Sequence, residues 1–254
     1  MASALIRKFV IPALVATAVV FPALAAEAPA TTALGKTEIE SIVKDYIMNN
    51  PEVILSAVES YQKKSMGARQ SAALKDNHDM IYKDESSPFI GDKDGDVTIV
   101  EFFDYNCGYC KKALPELRKV IESDKKVKII FKDFPILGPT SETSAKWALA
   151  AHKQGKYFDY HAKMMEHKGA VDDALLEKIA GEVGMDVSKA KADIQGTEIL
   201  IQIEKNRSLA SELGLTGTPA FLVGDKVVPG MIGADQLKAM IADQRKGAAE
   251  PAKN

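Results

Sequence analysis

Cysteine is almost missing from this sequence, with two in 254 residues, and tryptophan occurs once. Two cysteines cannot make a disulfide framework, and a chain of this length buries a full core without one. They also fall short of the four ligands a structural zinc site takes, and His78, His152, His161 and His167 are scattered away from them. No metal site is expected. Excess charge of one sign is lacking too: 33 basic against 35 acidic residues leave a net charge of −2, with no basic stripe for nucleic acid. No internal repeat is visible. After residue 26 no long apolar run remains, which predicts a soluble mature protein.

The one apolar run is at the start. Arg7 and Lys8 precede Phe9 to Phe21, a stretch broken by Pro12 and followed by Pro22, and Ala23-Leu24-Ala25 reads as a small-x-small cleavage site. This predicts a cleaved secretory signal over 1–26; an uncleaved anchor is the alternative. No cysteine follows the run, which argues against a lipid-anchored form. Removal takes the balance to 31 − 35 = −4. A secreted chain with one close cysteine pair sits in an oxidising compartment, where dithiol chemistry has a use.

That pair organises the rest. Val97 to Phe103 is β-branched and aromatic, and Asp104-Tyr105-Asn106 leads into Cys107-Gly108-Tyr109-Cys110. From Lys111 to Ile121 the apolar residues Ala113, Leu114, Leu117, Val120 and Ile121 fall at helical spacing. A strand turning into a helix through Cys-x-x-Cys sets Cys107 at the helix N-terminus. Unpaired N–H groups and the positive end of the helix dipole there favour a thiolate. Cys110, one turn in and deeper, is placed to attack a mixed disulfide on Cys107. Taken alone, Cys-x-x-Cys also fits half a zinc site or a structural cross-link.

Along the chain, 27–35 reads as a linker and 36–83 as a helical segment with a stalk. Ile39, Ile42, Val43, Tyr46 and Ile47 form one apolar face, with Thr37 as N-cap. Asn50 and Pro51 then start a second helix carrying Val53, Ile54, Ala57, Val58 and Tyr61. Gln62 to Tyr82 has too few apolar residues for a core helix and is expected as an exposed spacer. Such a helix pair buries its apolar face either against copies of itself or by folding back. Asp84 to Gly95 is expected as a loop opening the second domain, 84–246.

Val127 to Phe134 is a second strand, parallel to the first across the Cys-x-x-Cys helix. A helical insertion occupies about 138–213, where Trp147, Met164, Met165 and Met185 read as core packing rather than a soft-metal surface. Gly214 to Pro219 is a loop, Ala220–Val223 and Lys226–Val228 a hairpin, Ala234–Gln244 a last helix, and 247–254 a disordered tail. Glu101 stands in an apolar run six residues before Cys107, either buried or on an exposed edge. Asp104 falls in the turn, where exposure is expected.

The series strand, Cys-x-x-Cys, helix, strand, helical insertion, Thr218-Pro219, hairpin and helix resembles the thioredoxin fold of the periplasmic Dsb thiol–disulfide oxidoreductases. The arrangement is DsbA-like and covers about Val97 to Gln244. The fold class expected is therefore α/β, a thioredoxin fold with a helical insertion behind an N-terminal helical segment. Cys-Gly-Tyr-Cys departs from the Cys-Pro-His-Cys of strong oxidants and is similar to the DsbC isomerase type, as is Thr218 before Pro219. DsbC has a β-rich dimerisation domain, which this chain lacks. A helical N-terminal segment resembles the ScsC-type proteins instead, some of which resemble trimeric isomerases.

The resemblance implies Cys107 as nucleophile and Cys110 as resolving thiol, with no cofactor beyond a redox-active Cys107–Cys110 disulfide. It implies a cis Pro219 beside them, an ordinary trans proline being the alternative, with Thr218 holding a substrate strand by β-type hydrogen bonds. Glu101 matches the family's buried acid that accepts and returns the Cys110 proton. Gly108 and Tyr109 tune the site. Without a histidine between the cysteines, Cys107 should be acidified from about 8.5, but less than in the strongest oxidants.

The function expected is isomerisation or reduction of disulfides in unfolded or misoxidised secreted proteins in the periplasm. A membrane thiol reductase would serve as partner, and residues 36–83 would form a homo-oligomer. The alternatives are a monomeric dithiol oxidase with a membrane oxidase partner, and a client-holding or copper(I)-binding protein using both thiols.

Overall fold

A computed structural model describes residues 34–249. The expected signal 1–26, most of the expected linker and residues 250–254 of the expected tail lie outside the described residues. The chain divides into two compact units, one up to Ala57 and one from Val58 on.

The first unit holds α1 (Lys36–Asn49) and the start of α2 (Glu52–Asp76). Ile39, Ile42, Val43 and Tyr46 recur at helical spacing along α1, yet all four are exposed and no residue of α1 is buried. Two capping expectations are corrected. The N-cap of α1 is Gly35, whose carbonyl accepts from the N–H groups of Glu38 and Ile39, with Thr37 already inside the helix. Asn50 turns its side chain back to the Tyr46 carbonyl (2.7 Å), closing α1, and serves α2 only through its own carbonyl.

The second unit is built on a five-stranded sheet in the order β1–β3–β2–β4–β5. The strands are β1 (Phe89–Gly91), β2 (Val97–Phe103), β3 (Val127–Asp133), β4 (Ala220–Val223) and β5 (Lys226–Pro229). Only β2 and β3 run parallel, joined by the crossover helix α4 (Gly108–Ser123). The other pairs are antiparallel. Strand alternation sorts the core into two faces. Ile99, Phe103, Ile129, Phe131, Phe221 and Val223 pack with α4, the last helix α10 (Ala234–Ala249) and much of the insertion. Val100, Phe102, Ile130 and Leu222 form the other face with Leu74, Ile81 and Leu209.

The insertion comprises α5 (Pro139–Lys153), α6 (Tyr157–Glu166), α7 (Asp173–Glu182), α8 (Val187–Asp193) and α9 (Thr197–Glu212). Asp172 and Asp186 cap α7 and α8 by accepting from Leu175 and Lys189. Trp147, Met164, Met165 and Met185 are buried in the core.

Three expectations need revision here. The polar stretch after Gln62 is helical and lies in the second unit, and from about Gln70 on it is fastened there. Leu74 and Ile81, the latter on α3 (His78–Tyr82), are buried, Gln70 donates to the Leu213 carbonyl, and Asn77 to Glu212. A polar contact adds to this apolar packing. Lys132, pointing from β3 to the same face and 1% exposed, donates to the Met80 carbonyl (2.8 Å) and Asp84 (2.9 Å). Burial opposes ionisation of Asp84, but hydrogen bonds from Ser86, Lys132 and Ser87 outweigh it and hold the carboxyl below its usual range. Within the expected loop 84–95 lies β1, three residues that pair with Lys128–Ile130. At the other end α10 continues through Gly247 to Ala249, where a disordered tail was expected.

Candidate active site

β2 ends at Phe103, and the turn Asp104–Asn106 delivers Cys107 as the N-cap of α4. The Cys107 N–H donates to the Asp104 carbonyl (3.0 Å) and its own carbonyl accepts from Lys111. Cys107 thus lies at the positive end of a 16-residue helix, and Cys110 one turn further in is 1% exposed.

The antiparallel register sets Phe102 opposite Ala220, so the residues before β4 reach the end of β2. Those residues are Thr218 and Pro219, joined by a cis peptide bond. The Thr218 carbonyl lies 3.2 Å from Cys107 Sγ and accepts the thiol's hydrogen. The Pro219 carbonyl is held by the Gly230 N–H (2.8 Å). Four residues predicted for the site, Cys107, Cys110, Thr218 and Pro219, are therefore brought to one place.

The electrostatics separate the two thiols. A hydrogen bond from Cys110, aided by the Thr218 side chain and the N–H groups of Cys110 and Tyr109, outweighs partial burial and brings Cys107 down to about 5. Burial, the donated hydrogen bond to Cys107 and the charge of Glu101 all push Cys110 far up. The outer sulfur is a ready thiolate; the inner one keeps its proton.

Glu101 is buried, 1% exposed, on the face of β2 that carries Ile99 and Phe103. Its Oε1 has no hydrogen-bond partner among the described residues. Burial first, and the nearby Cys107 charge second, raise its pKa well above the ordinary carboxylate range. An acid whose proton affinity is raised beside a thiol with a raised pKa can trade a proton with it. Gly108 and Tyr109 face outward: no atom lies within 4 Å of where a Gly108 side chain would begin, and Tyr109 is 63% exposed under the Lys112 ammonium.

Asp104 departs from expectation. It is buried, and its two oxygens accept four hydrogen bonds: Asn106 N–H (2.7 Å) and Ser141 Oγ (2.7 Å) on one, Ile136 N–H (2.8 Å) and Leu137 N–H (3.0 Å) on the other. Tyr105 is likewise buried, with its hydroxyl 3.1 Å from His161 Nδ1. Asp133 at the end of β3 is buried as well, beside the Tyr157 hydroxyl (3.5 Å). Sequence reading expected Asp104 exposed and passed over Tyr105 and Asp133: the partners of the latter two come from the insertion, and most of those of Asp104 from beyond the next strand. Among the described residues no group of three or more His, Cys, Asp or Glu side chains is arranged to hold a metal ion.

Comparison with known proteins agrees with this geometry. A family model described as the DSBA-like thioredoxin domain matches residues 98–242, more than half of the chain. A second, the copper resistance protein ScsC N-terminal domain, matches residues 36–65. A thioredoxin-like oxidoreductase from Silicibacter pomeroyi is 39% identical, with a TM-score of 0.65, over 67% of this chain and 98% of that one. A linker-deletion mutant of Proteus mirabilis ScsC is 30% identical, with a TM-score of 0.68, over 85% of this chain and 99% of that one. Among curated relatives, disulfide bond formation protein D of Bacillus subtilis is 25% identical over 175 residues, 64% of this chain and 79% of its own. The chain spans only about a quarter (24%) of the Na(+)/H(+) antiporters it also matches, such as NhaA 1 of Salinispora arenicola. The chain belongs to the DSBA-like thioredoxin family of thiol–disulfide oxidoreductases, with an N-terminal segment of the ScsC type.

Proposed function

We propose that this protein isomerises or reduces disulfide bonds in secreted proteins in the periplasm, with Cys107 as nucleophile and Cys110 as resolving thiol. One observation carries the chemistry: the acidified Cys107 sulfur lies at the start of α4, 3.2 Å from the Thr218 carbonyl. The Cys107 thiolate attacks one sulfur of a client disulfide, and the other sulfur leaves as a thiolate, giving a mixed disulfide. In isomerisation a second client thiolate then attacks the bonded client sulfur and returns Cys107 as a thiolate. In reduction the Cys110 sulfur attacks Cys107 and releases the client thiolate, while the Cys110 proton passes to Glu101. The dithiol is then restored by a membrane thiol reductase. Thr218 and Pro219 border the place a client strand would occupy, and Gly108 and Tyr109 line its outer side.

The exposed apolar stripe of α1, on a segment matched by the ScsC N-terminal model, supports the isomerase direction. A helix with no buried residue gains little from folding alone, and copies of itself would cover the stripe. An assembly of this kind sets several Cys107 sulfurs around one client. A second reading, a monomeric oxidase, draws on the acidity of Cys107, since about 5 lies between the thioredoxin value near 7 and the DsbA value near 3.5. A more stable thiolate makes the disulfide form more oxidising.

Refolding of a client with scrambled disulfides separates the two. The isomerase restores client activity when added reduced, whereas an oxidase works only when added as its disulfide. Reduced protein that leaves the scrambled client unchanged would refute the isomerase.

A further inference from the structure

Asp104 has a role in the site beyond filling a turn. Its carboxylate is 1% exposed and meets four donors and no acceptor. Two of those donors, the Ile136 and Leu137 N–H groups, lie just past β3, and the third is Ser141 in the first turn of α5. The fourth is the N–H of Asn106, the residue before Cys107. Asn106 repeats the link through its own side chain, donating to Thr140 Oγ1 (2.7 Å) and Ser141 Oγ (2.9 Å). The main chain of Asp104 meanwhile accepts the Cys107 N–H (3.0 Å).

These contacts converge on the orientation of one residue. Cys107 is held at φ −81° and ψ 113°, outside the helix but in line with it. In that attitude its sulfur reaches the Thr218 carbonyl (3.2 Å) and is favoured as a thiolate by the N–H groups of Cys110 and Tyr109. We propose that Asp104 is a positioning residue for the dithiol reaction, clamping the Asn106–Cys107 turn to the Ile136–Ser141 segment so that the backbone donors stay aimed at the Cys107 sulfur. Charge-assisted hydrogen bonds suit the task, being shorter and about twice as strong as neutral ones. An asparagine keeps the shape but replaces one acceptor oxygen by a donor, so two of the four donors lose their partner whichever way it is turned.

This rests on Cys107 being the reactive thiolate, so its titration is measured first in the unaltered reduced protein by thiolate absorbance. A midpoint near the free-thiol value would refute that reading before any variant is made. With the acidic midpoint established, Asp104→Asn is expected to raise it by about one unit, close to tenfold less thiolate at pH values below the midpoint. Ser141→Ala, which removes a single donor, is expected to move it the same way by less. Ile241→Ala on α10 creates a core cavity, and is expected to lower Tm without moving the midpoint. If Asp104→Asn folds and titrates as the unaltered protein does, or if Ile241→Ala moves the midpoint equally, the clamp is refuted. Should Asp104→Asn fail to fold, Ser141→Ala decides: an unmoved midpoint overturns the proposal and a raised one supports it.

Discussion

The Cys107 sulfur lies 3.2 Å from the carbonyl of Thr218, a residue 111 positions further along the chain. The antiparallel pairing of β2 with β4 makes that contact, setting the cis Thr218–Pro219 bond against the start of α4. The helix N-terminus supplies N–H donors that favour the thiolate, while the Thr218 carbonyl, an acceptor, holds the thiol form of the same sulfur.

The thiols should divide the work between them. Cys107→Ser is expected to reduce exchange with a client disulfide to background. Cys110→Ser should still form the mixed disulfide but not resolve it through the inner thiol, so a covalent client adduct accumulates, visible by non-reducing electrophoresis or intact mass.

The inner thiol should also set the acidity of the outer one. Its hydrogen bond is the leading cause of the low Cys107 value. Cys110→Ala, which has no donor, is therefore expected to raise the Cys107 midpoint by about one unit, whereas Cys110→Ser retains a hydroxyl donor and raises it less. Titration of iodoacetamide reactivity in both variants checks the order.

Glu101 gives a pH signature. Its folded-state pKa is raised, so the folded protein holds a proton that the unfolded chain releases above about 4.5, and stability is lost as pH rises beyond that. Glu101→Gln removes this penalty. The Tm of the variant relative to the unaltered protein should therefore be more favourable at pH 8 than at pH 4, while resolution by Cys110 becomes slower. A Tm difference independent of pH would exclude a raised Glu101. Cys107 works in the opposite sense: with its folded value lowered from about 9 to about 5, the reduced protein gains stability from pH 5 upward, and Cys107→Ser loses that gain.

Lys132 should matter for stability alone. Lys132→Met leaves the half-buried Asp84 facing Gln202 and the serines without its cation, and losing a charged partner there costs about 2 kcal/mol. Urea unfolding measures the loss; the Cys107 midpoint of the folded variant should not move.

On α1, Ile42→Asp or Tyr46→Asp puts a charge in the exposed apolar stripe. If the stripe joins copies of the chain, light scattering should show the mass falling to one chain. Removal of the residues before Val58, where the second unit begins, should do the same.

Local features were legible from residues alone. The strand-to-helix switch around Cys107, the parallel β2–β3 pair and the β4–β5 hairpin each follow from a period or a turn within about 40 residues. What escaped depends on distant partners. Asp104 looks exposed in a turn because three of its four donors stand 32 to 37 positions away. The three residues of β1 have no strand pattern of their own and exist because β3 offers them an edge. Leu74 and Ile81 are too sparse to mark a core face, yet they and the Lys132–Asp84 pair bind the supposed spacer to the sheet. The Asn50 side chain could have served either neighbouring helix, and only the backbone course decides for α1.

The central claim is that α4 presents Cys107 as a thiolate. The most direct measurement is the rate of alkylation of the reduced protein against pH, with modification at Cys107 followed by mass. The rate should rise with a midpoint near 5 and level off well below neutrality. A midpoint near 8.5, as for a free thiol, would contradict the account.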